Sequence, residues 1–257
     1  MPVILDAKGL NKSFGAVTAA SGINAAIERD SVVGLIGTNG AGKTTFINMI
    51  TGYLKPDSGA IHYEGRDITA LPPRDITRLG ICRSFQIPQL YGSLSVHENM
   101  MIGLGIVLRN AGLGGYFSRG EAHVPGFGKP AEQVAEHLLA RFGLQDYRAR
   151  NAQVLPGGVR KLLDIALTMV AKPRVLLLDE PTSGVSSEEK FGIMQMVLEA
   201  VRAEGATVLF VEHDMEIVSR FAQRVLAFYD GRIIADAAPE AALANPDVKR
   251  HVVGTRA

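Results

Sequence analysis

Apolar residues in this chain fall into short continuous runs and longer runs of helical period, and their order along the sequence predicts an α/β protein. Val32 to Ile36 is apolar at nearly every position with Gly34 between, the mark of a strand covered on both faces. Val175 to Leu178 and Thr207 to Val211 share that character, the first ending in Asp179-Glu180 and the second in Glu212-His213. A stretch near Ala7 to Phe14 reads as a strand. Ile61 and Tyr63 alternate with polar neighbours after Asp57-Ser58-Gly59, which fits an outer antiparallel strand. Val225 to Tyr229 and Arg232 to Ala235 flank Asp230-Gly231, a two-residue hairpin signal.

The middle of the chain has a different period. Ser95 and Glu98 have capping-box spacing before an apolar run. Val134, Ala135, Leu138, Leu139 and Phe142 recur at helical spacing, with Gly143 as terminator. Val159, Leu162, Leu163, Ala166, Leu167 and Val170 form a second stripe, stopped by Pro173. From Gly103 to Pro130 the chain is rich in glycine, and a loop or weakly ordered insertion is expected there. The tail after Ala237 is expected to end in short helices. Strands separated by helices imply a mostly parallel, helix-covered sheet, and ligands of such sheets sit at the carboxyl ends of the strands.

Composition narrows the class. The chain has 257 residues, a formal net charge of +1, one cysteine and six histidines. The balanced charge gives no footprint for nucleic acid. A lone Cys82 excludes an intrachain disulfide and fits a reducing compartment, and the scattered histidines do not suggest zinc. The first ten residues carry Asp6 and Lys8, which a secretory signal excludes. Met100 to Leu108, the longest apolar stretch, is about half what a membrane span needs. A cytoplasmic protein is expected, reaching a membrane only through partners.

Directly after the buried-strand candidate stands Gly37-Thr38-Asn39-Gly40-Ala41-Gly42-Lys43-Thr44, which fits G-x-x-x-x-G-K-[ST]. Its glycines let successive N–H groups converge on phosphate oxygens, and a helix starting near Lys43 adds the positive end of its dipole. Lys43 is expected to reach the β- and γ-phosphates and Thr44 to hold Mg²⁺. The cofactor-binding set is Gly37, Asn39, Gly40, Ala41, Gly42, Lys43, Thr44 and the adjoining Thr45. Asp179 is the expected acceptor of Mg²⁺-bound waters, and Glu180 the residue that orients the attacking water. Taken alone, Asp-Glu after leucines marks a strand end. Beside a phosphate loop it becomes the complementary half of an ATPase. His213 could contact the γ-phosphate.

The order of phosphate loop, Gln86, a glycine pair at a helix start, Asp179-Glu180 and His213 resembles the ATP-binding subunit of ABC transporters, over essentially the whole chain. Arg83-Ser84-Phe85-Gln86, Val211-Glu212-His213-Asp214-Met215 and Asn245-Pro246-Asp247-Val248 resemble the subgroup that powers uptake of branched-chain and hydrophobic amino acids. The resemblance implies a P-loop core (1–87 and 171–257) with a mostly parallel sheet and a small antiparallel region, and an inserted helical subdomain (88–170). It implies that Phe14 stacks on adenine and that Gln86 links nucleotide and metal to the helical subdomain. Gly157 and Gly158 would contact the γ-phosphate of a second ATPase subunit closed head to tail. Membrane-spanning permease subunits, and indirectly a solute-binding protein, are the other implied partners.

Two positions depart from the family. The signature, usually Leu-Ser-Gly-Gly-Gln, reads Leu155-Pro156-Gly157-Gly158-Val159, so a hydroxyl and a backbone N–H are missing at Pro156. After Thr182-Ser183-Gly184-Val185 the usual Asp is Ser186. ATP hydrolysis is expected to be retained but slowed. Among alternatives, a soluble ABC-type ATPase of DNA repair or translation usually carries coiled-coil insertions or tandem halves, which are not found here. A GTPase would need an Asn-Lys-x-Asp motif, and a silent regulatory subunit would not need Glu180 and His213.

Overall fold

The computed structural model describes residues 2–84, 90–117 and 122–254. The chain divides into two compact units. One comprises Met1–Ile81, Val175–Glu180 and Thr207–Ala257, and the other Cys82–Arg174 and Pro181–Ala206.

The central sheet of the first unit runs in the order Arg232–Ala237, Arg224–Tyr229, Val32–Gly37, Thr207–Val211, Val175–Asp179, and at its far edge the chain leaves through the short strand Ile81–Arg83. Val32–Gly37 pairs in parallel with Thr207–Val211 and with Arg224–Tyr229, and Thr207–Val211 pairs in parallel with Val175–Asp179. Arg232–Ala237 returns antiparallel. Asp230 and Gly231 both adopt left-handed conformations, with φ of 48° and 71°, as a two-residue hairpin turn with the twist of its strands requires.

Alternate residues of these strands face different layers. Val33 and Leu35, with Leu177, Leu209 and Phe228, belong to one buried cluster with Phe46 and Ile50 of the helix Lys43–Ile50. The opposite face is also covered. A Cβ on Gly34 would lie 3.3 Å from Val218 and Ala222, at the helix Met215–Phe221 and its end. Covering both faces demands the continuous apolar runs seen in the sequence.

A second sheet, antiparallel and four-stranded, has the order Val17–Glu28, Val3–Phe14, Ser58–Tyr63, Arg66–Asp67. Leu5, Leu10, Ile23 and Ile27 join the same core cluster. The sequence pattern does not reveal Val17–Glu28. Its inward positions include the small Ala20 and Ala25, and register shifts against Val3–Phe14 break the alternation. The tail forms the short helices Pro239–Ala244 and Pro246–Val248 and the π-helical turn Lys249–Val253, as expected.

The second unit is mainly helical, with Val96–Asn110, Ala131–Arg141, Gly157–Met169 and Lys190–Ala203 as its long helices. Ser95 caps the first: its hydroxyl accepts from the Glu98 N–H, and Glu98 accepts from the Ser95 N–H at 2.7 Å. Asn99, fully buried, accepts from Tyr91 N–H and donates to the carbonyls of Tyr91 and Ser95, which holds the preceding loop to the helix.

The expected loop from Gly103 to Pro130 is corrected in part. Gly103 sits inside the helix Val96–Asn110, where a Cβ would come within 3.1 Å of Leu167 Cδ2. Close helix packing, not a turn, accounts for that glycine. Beyond it the described residues form the short helix Gly114–Phe117 and a small hairpin of His123–Val124 with Lys129–Pro130.

Candidate functional site

The phosphate-loop residues lie at the carboxyl end of Val32–Gly37, where the first unit's central sheet delivers them. Thr38, Asn39, Gly40 and Thr44 are exposed, whereas Ala41, Gly42 and Lys43 are buried. The loop is clamped from outside. A Cβ on Gly37 would stand 2.6 Å from the carbonyl oxygen of Phe228, and one on Gly42 would stand 2.8 Å from that of Ala19. Gly42 also takes φ of 106°, a region L side chains rarely adopt. Gly40 is glycine for conformation alone, with φ of 81° and open space around it. The Phe46 and Phe228 rings, 5.6 Å apart, fix the helix behind the loop to the sheet.

Lys43 has its ammonium turned onto its own loop, donating to the carbonyls of Gly37 at 2.6 Å and Thr38 at 3.1 Å. Burial holds its pKa below the ordinary lysine range, and the negative charges of Glu180 and Asp179 partly oppose that shift. The cation therefore stands within the electrostatic reach of both carboxylates.

Asp179 ends its strand opposite Val211, and Glu180 N–H continues the pairing by donating to Val211 O at 3.1 Å. Glu180 adopts a left-handed φ of 48°, a conformation that costs a non-glycine residue about 1–2 kcal/mol. Its Oε1 lies 3.2 Å from His213 Nε2. Asp214 caps the next helix by accepting from the N–H groups of Glu216 and Ile217, so His213 is held between a strand end and a helix start.

The structure thus gathers Gly37 to Thr45, Asp179, Glu180 and His213 in one unit. Phe14 lies in that unit at the tip of the Val3–Phe14 and Val17–Glu28 hairpin, 54% exposed, with Lys12 Nζ 5.7 Å from its ring centroid. An exposed aromatic face beside a turn is free to stack. Gln86 lies outside the described residues.

Gly157 and Gly158 belong to the second unit, where they open the helix Gly157–Met169 behind Pro156. Neither has positive φ. A Cβ on Gly157 would approach Gly184 O to 3.2 Å, and one on Gly158 would meet Ile193 Cδ1 at 2.5 Å. Ser186 Oγ donates to Glu189 Oε2 at 2.7 Å and caps the Glu189 N–H, a local turn role that its residue type serves well.

Sequence reasoning did not single out two features. Glu212 is buried and accepts from His213 N–H at 3.3 Å. Gly231 donates to Ala41 O at 3.1 Å, so the Asp230-Gly231 turn supports the phosphate loop. The turn was legible in the sequence; its neighbour in space was not.

Among the described residues no helix is long and apolar enough to cross a membrane. The profile of the ABC transporter family matches residues 20–183. The high-affinity branched-chain amino acid transport ATP-binding protein BraF of Pseudomonas aeruginosa is 34% identical, over 98% of each chain. The corresponding protein LivG of Escherichia coli is 33% identical over the same shares. Two solved ATP-binding cassettes of ABC transporters, one in an ADP conformation and one free of nucleotide, superpose with TM-scores of 0.81. They are 31% and 30% identical and cover 96% and 97% of this chain, which covers 97% and 98% of them. A phosphate loop closed on a buried lysine, two carboxylates at the end of a strand two places along the same sheet and relatives matching from end to end give one conclusion: this chain belongs to the ABC transporter family, as an ATP-binding, ATP-hydrolysing transport subunit.

Proposed function

We propose that this subunit powers uptake of amino acids or related small solutes, with branched-chain amino acids the leading candidates, by closing head to tail on a second ATPase subunit around ATP. The observation that carries this reading is the end-to-end similarity to branched-chain amino acid transport ATP-binding proteins, together with the Lys43, Asp179 and Glu180 arrangement. The repair or translation alternative has no comparable support.

In this reading the amides of Gly37 to Thr45 cradle the phosphates. Lys43 exchanges its carbonyl partners for phosphate oxygens, whose negative charge strengthens the hydrogen bonds that its ammonium donates. Glu180 accepts a proton from the attacking water, and His213, beside it, contacts the γ-phosphate. Phe14 stacks on adenine. Thr44 and Asp179 offer hydroxyl and carboxylate oxygens, the hard donors that suit Mg²⁺, with Gln86 as a further ligand. Bound magnesium would neutralise phosphate charge. Gly157 and Gly158 face the partner subunit's nucleotide, and permease subunits hold the assembly at the inner face of the membrane.

Leucine uptake by cells lacking this gene tests the proposal. Uptake is expected to fall, to return with the parent gene and not with a Lys43→Ala variant. Normal leucine uptake without the gene would exclude branched-chain amino acids as the cargo.

A further inference from the structure

We infer that His251 is a positioning residue for the triphosphate, acting through Tyr229 and the Asp230-Gly231 turn on the phosphate loop. This rests on the reading that Gly37 to Thr45 bind ATP. The His251 and Tyr229 rings are stacked, with centroids 4.1 Å apart and planes inclined by 25°. Tyr229 is the last residue of the strand Arg224–Tyr229, so it leads directly into the turn. Gly231 then ties two segments together. Its N–H donates to Ala41 O at 3.1 Å, and its carbonyl accepts from Ser21 N–H at 2.8 Å. It also stands where a Gly42 side chain would be, with its Cα 3.2 Å from that Cβ position.

The tail that carries His251 is anchored. Val248 and Ala242 are fully buried, and Asn245 caps the short helix Pro246–Val248 by accepting from the N–H groups of Asp247 and Val248. The turn Lys249–Val253 packs against Arg224–Tyr229 and Val32–Gly37, the strands that end at the hairpin and at the loop. Tyr229 itself is partly exposed, at 37%. His251 supplies the support on one face.

This support bears on binding because the loop must keep its shape while Lys43 leaves the Gly37 and Thr38 carbonyls. A loop braced at Ala41 keeps its amides preorganised, and preorganisation raises affinity by lowering the ordering cost.

Calorimetric titration of this chain with Mg-ATP tests the inference, with the parent, His251→Ala, His251→Phe and Lys43→Ala measured below their melting transitions. His251→Ala is expected to weaken binding about threefold, the order of one aromatic contact, and His251→Phe to restore it by stacking. Unchanged affinity in His251→Ala, or a His251→Phe variant as weak as the alanine, overturns the inference. Lys43→Ala separates the two readings: if it too binds ATP normally, the loop assignment fails first.

Discussion

Glu180 Oε1 and His213 Nε2 lie 3.2 Å apart although they follow two different strands. Parallel pairing explains the meeting. Asp179 is in register with Val211, so the residues just past each strand emerge side by side. The left-handed φ of Glu180 then sets the direction in which the chain leaves. In the proposed function this carboxylate beside an imidazole is the group that accepts a proton from water.

Glu180→Gln is expected to lower ATP turnover by about 10²-fold or more, the usual contribution of a general base, while Mg-ATP still binds. Single-turnover hydrolysis and equilibrium binding check both halves. Turnover at the parent rate would remove Glu180 from its role.

Burial lowers the Lys43 pKa, which ties both stability and binding to pH. Between the folded value and the unfolded one, about 10.4, the unfolded chain holds a proton that the folded chain has lost. Unfolding free energy from this group therefore rises with pH across that interval. Triphosphate favours the protonated ammonium, so ATP affinity is expected to fall as pH climbs through the same interval. Titration calorimetry from neutral pH upward, compared with a Lys43→Met variant, measures the Lys43 share. A parent affinity flat across that range argues against contact between this ammonium and phosphate.

Gly42→Ala should be more harmful than Gly40→Ala. Both glycines have positive φ, but an alanine at 42 also drives its Cβ toward Ala19 O at 2.8 Å and the Gly231 backbone, whereas position 40 has open space. Strain of this kind costs about 1–3 kcal/mol. Denaturant unfolding of the two variants should show the larger loss at 42, and equal losses would mean that the clamp on the loop is not tight.

Pro156→Ser restores the hydroxyl that the signature usually carries. Position 156 has extended geometry at the start of Gly157–Met169, so serine can cap the helix, a gain of about 1 kcal/mol. Loss of proline's restraint on the unfolded chain offsets roughly 0.4–1 kcal/mol of that. Stability should change little, and ATP turnover should rise or stay level. A large fall in steady-state turnover would show that this segment is not the signature.

Some of this site is readable without coordinates. The run Val32 to Ile36 is buried throughout, as its composition demands, and the Ser95 and Glu98 pair forms both capping bonds. The strand Val17–Glu28 is not legible in the sequence because alanine carries little hydrophobic signal and the register shifts hide its period. Gly103 misleads for the opposite reason. Glycine marks turns locally, but here it admits Leu167 of a helix distant in sequence.

Sequence alone determined the chemistry: glycines and a lysine at fixed spacing after a buried strand, two adjacent acids after another, and a histidine after a third. Local spacing suffices for these because strand ends and helix starts impose backbone positions within a few residues. Only the tertiary structure decided which distant groups complete them. The closeness of Glu180 to His213, the backing of Ala41 by Gly231 and the stack of His251 on Tyr229 follow from strand register and chain return. Contacts of that kind join residues far apart in the chain, and no local period records them.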